Sequence, residues 1–183
     1  MEIISSKDNK KIKEARKLLT KKYRKNSYLI EGFHLLEEAL KAGRSIKQIF
    51  VEENKLTKLT EMIGSEKLLT DLSVNLVSKE VLKSLADSES PQGLIAEVTK
   101  IEEVIDFSAA KFLLLENVQD PGNVGTMIRT ADAAGFSAVI LLGETADIYS
   151  PKVMRSMQGS NFHMPLVRMA KEDCFAQLKK AGI

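Results

Sequence analysis

Seven residues between positions 117 and 129 carry groups that could do chemistry: Asn117, Asp120, Pro121, Gly122, Asn123, Gly125 and Arg129. The first five are of the types that turn a chain and open a helix, whose leading N–H groups have no partner inside the helix and can face a ligand. Arg129 adds a cation able to grip a phosphate or to stabilise charge developing on an oxygen. The flanking sequence says how these groups are carried. Leu113, Leu114 and Leu115 read as a strand buried on both faces, and Val124, Met127, Ile128 and Ala131 recur at the spacing of one helical stripe closed by Gly135. On a 3.6-residue helix Arg129 falls roughly 140° from the centre of that stripe, away from the core. Phe136 to Leu142, FSAVILL, supplies a second buried strand. The polar loop therefore sits at the C-terminal end of the first strand of a βαβ unit, where open α/β sheets bind ligands.

The run Asn117, Asp120, Pro121, Asn123, Gly125, Arg129, Thr130, Ala131 and Gly135 resembles the first motif of the SpoU (TrmH-type) RNA ribose methyltransferases of the SPOUT class. The resemblance continues upstream in Glu31-Gly32 with Leu35, Leu36 and Ala39, and in Ser90-Pro91-Gln92-Gly93. Downstream it continues in Ser150-Pro151-Lys152-Val153 and in Arg155 to Val167. It implies methyl transfer from S-adenosylmethionine to a ribose 2′-hydroxyl of rRNA or tRNA, in an enzyme that is a homodimer at full length. It also implies that Arg129 is catalytic with Asn123 as its companion, and that Asn117, Asp120 and Gly125 belong to the active-site loop. The family's cofactor segments, a Gly/Glu-rich loop and a Ser-Leu-Asn-type segment in a C-terminal knot, have no counterpart before Ile183. The sequence thus reads as truncated before that knot, with no cofactor-binding residues of its own, and a non-catalytic RNA-binding protein is the alternative.

Plainer roles stand beside each of these. Arg129 suits a surface ion pair with Asp132 or Glu116, Asn123 suits a helix N-cap, and Asn117 and Asp120 suit hydrogen bonds that shape a loop. A guanidinium gives up its proton only far above pH 7, so using an arginine as a base at neutral pH is energetically costly. Arg129 is therefore expected to act charged, as a clamp on phosphate and nascent alkoxide, rather than as a general base. Gly122 to Gly125 offers neither G-x-G-x-x-G nor a Gly-Lys-Ser/Thr ending, which speaks against a dinucleotide or phosphate-loop enzyme.

Composition narrows the classes further. The 183 residues are 44% hydrophobic, enough for packed cores, and no apolar segment approaches the roughly 20 residues of a membrane span. With no apolar signal core at the N-terminus, a cytoplasmic protein without a membrane partner is expected. One cysteine, Cys174, and two histidines, His34 and His163, leave no intrachain disulfide and no metal-ligand spacing. Cys174 reads as a small, partly buried residue and His163, beside Pro165, as a buried or interfacial structural one. The net charge of +2 hides an asymmetry: residues 1 to 25 hold ten Lys/Arg against three Asp/Glu, about +7, so the remainder is near −5. In this segment Ile12, Ala15, Leu18 and Leu19 form an apolar stripe, and Lys10, Lys13, Lys17, Lys21 and Arg24 are the candidate RNA-binding residues, a solvated helix face being the other reading.

The expected fold class is α/β, with two domains. Strands and helices alternate over 27–98: Tyr28 to Ile30, Phe33 to Ala42, Ile46 to Val51, Lys55 to Ile63, Val74 to Val77, Lys79 to Ala86 capped by Ser78, and Leu94 to Val98. Residues 1–98 are thus a small α/β sandwich, which resembles the ribosomal-protein-type (L30e-like) substrate-binding domain of many SpoU enzymes. Residues 99–110 read as a linker, and 111–183 as the N-terminal part of a SPOUT-type parallel-sheet domain. Within the latter, Pro151 to Ser160 is expected as a helix exposing Lys152 and Arg155, His163 to Val167 as a strand and Glu172 to Ala181 as a helix.

Overall fold

The computed structural model describes residues 2–64, 71–108 and 111–183. It divides into two compact units, one running to Lys100 and including Tyr149–Pro151, the other comprising Ile101–Ile148 and Lys152–Ile183.

The first unit is a four-stranded sheet. Strands β1 (Ser27–Glu31), β2 (Ile46–Glu52), β3 (Val74–Val77) and β4 (Leu94–Thr99) lie in the order β1-β4-β2-β3. β4 is antiparallel to both β1 and β2, whereas β2 and β3 are parallel. Among the described residues its helices include α1 (Lys10–Lys17), α2 (Phe33–Lys41), α3 (Leu56–Ile63) and α4 (Lys79–Leu85). Alternation explains why the strands read as near-continuous apolar runs. Leu29, Phe50, Val77 and Ile95 point to one face, where they meet Ile12, Ala15 and Leu18 of the α1 region and Val81, Leu82 and Leu85 of α4. The intervening residues Ile30, Ile49, Val51, Ala96 and Val98 are buried as well, on the face where α2 packs against β1 and β4. Ser78 caps α4, its hydroxyl accepting the Val81 N–H, and Gly64 closes α3 in a left-handed conformation that a side chain would strain.

One polar group is built into this sheet. Glu97 is buried, and its carboxylate accepts from the Ser27 hydroxyl at 2.6 Å and from the Gln48 amide at 2.7 Å, with Lys47 Nζ at 3.5 Å. Burial of an acidic side chain requires such partners, and only the strand register brings these three together.

The second unit has three parallel strands, β5 (Phe112–Glu116), β6 (Ala138–Leu142) and β7 (Leu166–Arg168), in the order β5-β6-β7. Its helices are α5 (Pro121–Ala133), α6 (Pro151–Met157) and α7 (Lys171–Lys180). β6 is buried at all five positions, while Leu113 and Leu114 of β5 are only half-buried. β5 differs from the sequence expectation because, among the described residues, it is an edge strand with a neighbour on one side alone.

The boundary region also differs. Thr99, read as the start of the linker, ends β4, and Ile105 and Phe107 pack on the cluster of Ile140, Leu142, Cys174 and Leu178. Their apolar side chains anchor the second half of the connection to the second unit, so the coil is confined to 101–106; Ala109 and Ala110 lie outside the described residues. α6 stops at Met157 rather than Ser160 because Gly159 takes φ +96° and starts a separate 3₁₀ turn, Ser160–Phe162. β7 likewise starts at Leu166, three residues later than expected, because His163 and Met164 still belong to the hydrogen bonding of that turn.

Val104 is 78% exposed within the coil, so a Glu-specific protease should cut first after Glu102 or Glu103, releasing fragments of about half the chain each. Mass spectrometry of the earliest products checks this. A first cut inside either sheet would contradict the division.

Candidate active-site loop and basic surface

β5 delivers Glu116 to the C-terminal edge of the second sheet, and there the chain turns through Asn117, a non-glycine residue with positive φ (+56°). Asparagine tolerates that conformation because its short amide finds local partners. Asn117 Oδ1 accepts the Glu144 N–H at 2.9 Å and occupies the space that a Cβ at Gly143 would need. Gly143 is itself at φ +55°, so glycine is required there twice over. The Asn117 N–H donates to Leu142 O, and the Ala146 N–H donates to Val118 O at 2.9 Å. Thr145, buried, places its hydroxyl 2.8 Å from both Leu115 O and Leu142 O and accepts the Val118 N–H at 3.3 Å. Arg168 closes the set from the end of β7, donating to Gly143 O at 2.7 Å, Thr145 O at 2.5 Å and Ala146 O at 3.2 Å. The loop after β5 and the loop after β6 are thus laced into one layer. The sequence motif flagged neither Thr145 nor Arg168, because their partners are backbone carbonyls that leave no side-chain pattern.

The helix that follows starts one residue group earlier than Asn123 would suggest. Asp120 is the N-cap, its Oδ1 accepting the Asn123 N–H at 2.7 Å, and Pro121 occupies the first helical position, where its missing N–H costs nothing. Asn123 is therefore not the cap. It lies in the first turn of α5, exposed, and its side-chain amide forms no hydrogen bond among the described residues. Gly125 is not a loop residue either. It is buried inside α5, where a Cβ would collide with Ser156 and approach Val153 O to 2.9 Å, so its absent side chain lets the backbones of α5 and α6 meet.

Arg129 is exposed and forms no hydrogen bond or ion pair among the described residues. The two partners open to it are engaged elsewhere: Asp132 with His163 Nδ1 at 2.9 Å, and Glu116 with Lys171 Nζ at 2.8 Å. His163, expected to be buried or interfacial, is exposed and held by this carboxylate instead. Asn123 and Arg129 are separated by six residues of helix, about 9 Å along the axis and about 120° around it. They flank the exposed side of α5, and helical side chains lean toward the N-terminus, so a long arginine can reach back toward the level of the loop. Arg155, expected to be exposed, is half-buried. Cys174 is fully buried among apolar neighbours, which pushes its thiol up and removes it from consideration as a nucleophile.

In the first unit, Lys10, Lys13 and Lys17 share the exposed side of α1, opposite Ile12 and Ala15. Lys13 pairs with Asp8 at 2.9 Å, holding that carboxyl below its usual range, and Lys17 pairs with Glu14 at 2.7 Å. Such solvent-exposed pairs are weak enough for a phosphate to displace. Lys21 stands on a separate 3₁₀ turn, Lys21–Tyr23, also exposed. Arg24 is a correction: it is 6% exposed, and its guanidinium donates to Leu18 O at 2.8 Å. Tying down the C-terminal end of the α1 segment is its role, which takes it out of the basic face.

One unit thus holds a parallel sheet with a laced polar loop at its strand ends, followed by a helix that exposes an arginine with no partner among the described residues, and the other is an α/β unit with a basic N-terminal segment. The comparisons with known proteins agree. Residues 9–96 match the MRM3-like substrate binding domain and residues 110–183 match the SpoU rRNA Methylase family. Over 185 residues the chain is 43% identical to the 23S rRNA (guanosine(2553)-2′-O)-methyltransferase RlmP of Bacillus subtilis, an alignment covering 100% of this chain and 71% of that protein. It is 34% identical over 147 residues to the human mitochondrial rRNA methyltransferase 3, covering 76% of this chain and 34% of that protein. The AdoMet-bound rRNA methyltransferase from Sinorhizobium meliloti superposes with a TM-score of 0.82 at 29% identity, over 98% of this chain and 69% of that one. The chain belongs to the SpoU family of S-adenosylmethionine-dependent rRNA methyltransferases.

The described residues supply only part of what that cofactor needs. Those gathered at the strand ends are polar: amides, backbone N–H groups, Glu116 and Glu144. An apolar cavity of about 260 Å³ lies instead on the flank of α5, lined by Leu113, Met127, Ala131 and Phe136, and it has no charged group to meet the ammonium and carboxylate of a methionine. These residues do not by themselves make up an adenosine site.

Gly125→Ala should destabilise the second unit by about 1–3 kcal/mol, because the forced separation of α5 and α6 outweighs the roughly 1 kcal/mol that alanine gains in helix propensity. Asp120→Ala should cost about 1 kcal/mol through loss of the cap. Urea unfolding of each variant reads both values, and a Gly125→Ala protein as stable as wild type would disprove the close helix approach.

Proposed function

We propose that this protein methylates the 2′-hydroxyl of an rRNA nucleotide, with the first unit holding RNA through the exposed lysines and the second unit acting on the ribose. The observation that carries the reading is Arg129: a cation exposed on the helix that follows a rigid polar loop, unpaired among the described residues, in a family whose reaction develops negative charge on an oxygen. Both carboxylates within reach by sequence are already taken, so an incoming phosphate finds the guanidinium available. The named activity of the Bacillus subtilis relative supports rRNA rather than tRNA as the substrate.

In this reading S-adenosylmethionine supplies the methyl group. Arg129 stays protonated and holds a phosphate of the target nucleotide through one edge of its planar fork. The remaining N–H groups stabilise the oxygen as it loses its proton to phosphate or water. Asn123 contributes a neutral amide donor and acceptor for the ribose, while Asn117 and Asp120 keep the loop in shape through their bonds to Glu144 N and Asn123 N. The family resemblance further supports a homodimer at full length.

Arg129→Ala and Arg129→Lys should each lower 2′-O-methylation of rRNA by about a hundredfold, roughly 3 kcal/mol, in the full-length protein while unfolding and RNA affinity stay near wild type. A lysine variant with more than about a tenth of the activity would show that charge alone suffices. Replacing Lys10, Lys13, Lys17 and Lys21 with glutamine should weaken binding to RNAs of different sequence alike and flatten the dependence of log K on log salt by about 2–3. An unchanged slope would return α1 to the role of a solvated face.

A further inference from the structure

We infer that Arg168 is a positioning residue for methyl transfer, acting through the loop after β6 on the loop that leads into α5 and its proposed active-site residues; the inference rests on the function proposed above. Arg168 is the last residue of β7 and is largely exposed, yet its guanidinium meets three carbonyls of one loop: Gly143, Thr145 and Ala146. Three carbonyls converge on one side chain because the chain reverses at Gly143 with φ +55°. A planar fork suits that arrangement, and an ammonium, a compact point charge, does not.

What the gripped loop does gives the contact its consequence. Glu144 N–H ends on Asn117 Oδ1, Thr145 Oγ takes Val118 N–H, and Ala146 N–H ends on Val118 O. Every one of these bonds fixes Asn117 or Val118, two residues before the Asp120 cap that sets the start of α5 and the placement of Asn123. Gly143 and Glu144 are exposed and bury nothing themselves. Apart from Thr145, Arg168 is the side chain that holds this loop by several bonds among the described residues. Its removal uncovers little apolar surface, and the freed carbonyls can turn to water. The effect is therefore expected in local opening and in the geometry of α5, rather than in global stability.

The test uses the full-length protein and Arg168→Ala and Arg168→Lys variants, read by amide hydrogen exchange and by steady-state methylation of rRNA. In Arg168→Ala the amides of Val118, Glu144 and Ala146 should exchange at least about tenfold faster, while those of Val139 to Leu142 keep their protection. kcat should fall by about tenfold or more with little change in KM for RNA, as a displaced but intact site requires. Arg168→Lys should restore only part of either quantity. Unchanged protection of the three loop amides would overturn the inference, and so would loosened amides with kcat kept within about twofold of wild type. Failure of the underlying reading is distinguishable. Wild-type protein that transfers no methyl group to RNA sinks the proposed function and this inference with it, whereas an active wild type with an equally active Arg168→Ala sinks this inference alone.

Discussion

Two parallel strands that end side by side leave carbonyls at their C-terminal edge just where the chains must diverge into separate loops, and these groups must find donors. In the second unit the buried hydroxyl of Thr145, 2.8 Å from both Leu115 O and Leu142 O, and the Asn117 N–H, which donates to Leu142 O, do this, while Asn117 Oδ1 accepts the Glu144 N–H and the Arg168 guanidinium donates to the carbonyls of the loop that follows. The start of α5 rests on this arrangement. Because Asn117 and Val118 are fixed from the neighbouring loop, Asp120 stands where its carboxylate can cap the helix, and Asn123 and Arg129 are presented on a rigid element rather than a mobile one. Polar groups in a layer that is only partly open to water are costly unless all are paired. This satisfies the loop, and Arg129 beyond it has no partner among the described residues.

Much of this was legible in the chain. The strands at 27–31, 74–77 and 112–116 and the helix from 121 follow from apolar periodicity and from residues whose turn chemistry is unambiguous, such as Ser78 before α4 and Gly135 after α5. The resemblance to the SpoU motif marked the loop and the arginine. What stayed hidden has a common cause. Gly125 was assigned to the loop by the family resemblance, while its structural reason is the α6 backbone some thirty residues on, which no local pattern encodes. Asn123 and Asp120 are both good caps by type, and only the dihedral angles decide between them. Thr145 and Arg168 bond to carbonyls, and Glu97 is buried by strand register, so none leaves a spacing to recognise.

Charge in the first unit separates in the same manner into groups committed to structure and groups left available. The about +7 of residues 1 to 25 includes Arg24, which is buried on Leu18 O, and Lys11, whose ammonium donates to Asn75 Oδ1 at 2.7 Å. Arg16 donates to Lys7 O at 2.6 Å and holds the start of the segment. Subtracting these three leaves a smaller cationic face than the count suggests, concentrated in Lys10, Lys13, Lys17, Lys21 and Lys22. Two of the five have carboxylate neighbours, but an exposed pair contributes at most about 1 kcal/mol, less than the counterion release a phosphate contact provides at low salt.

The same sorting makes the strongest physical case at the strand ends of the second unit. Three long cations stand on the elements that frame that edge. Lys171 is spent on Glu116, its ammonium pushed up by that carboxylate, and Arg168 is spent on three loop carbonyls. Asp132, which sits within one turn of Arg129 and would be its natural partner on the helix, is turned instead to His163. A fold selected only for stability would have little reason to pair an aspartate with an exposed histidine while an arginine one turn away goes without. With Asp132 occupied by His163, the guanidinium of Arg129 has no carboxylate partner among the described residues, which is the arrangement that the proposed phosphate contact requires.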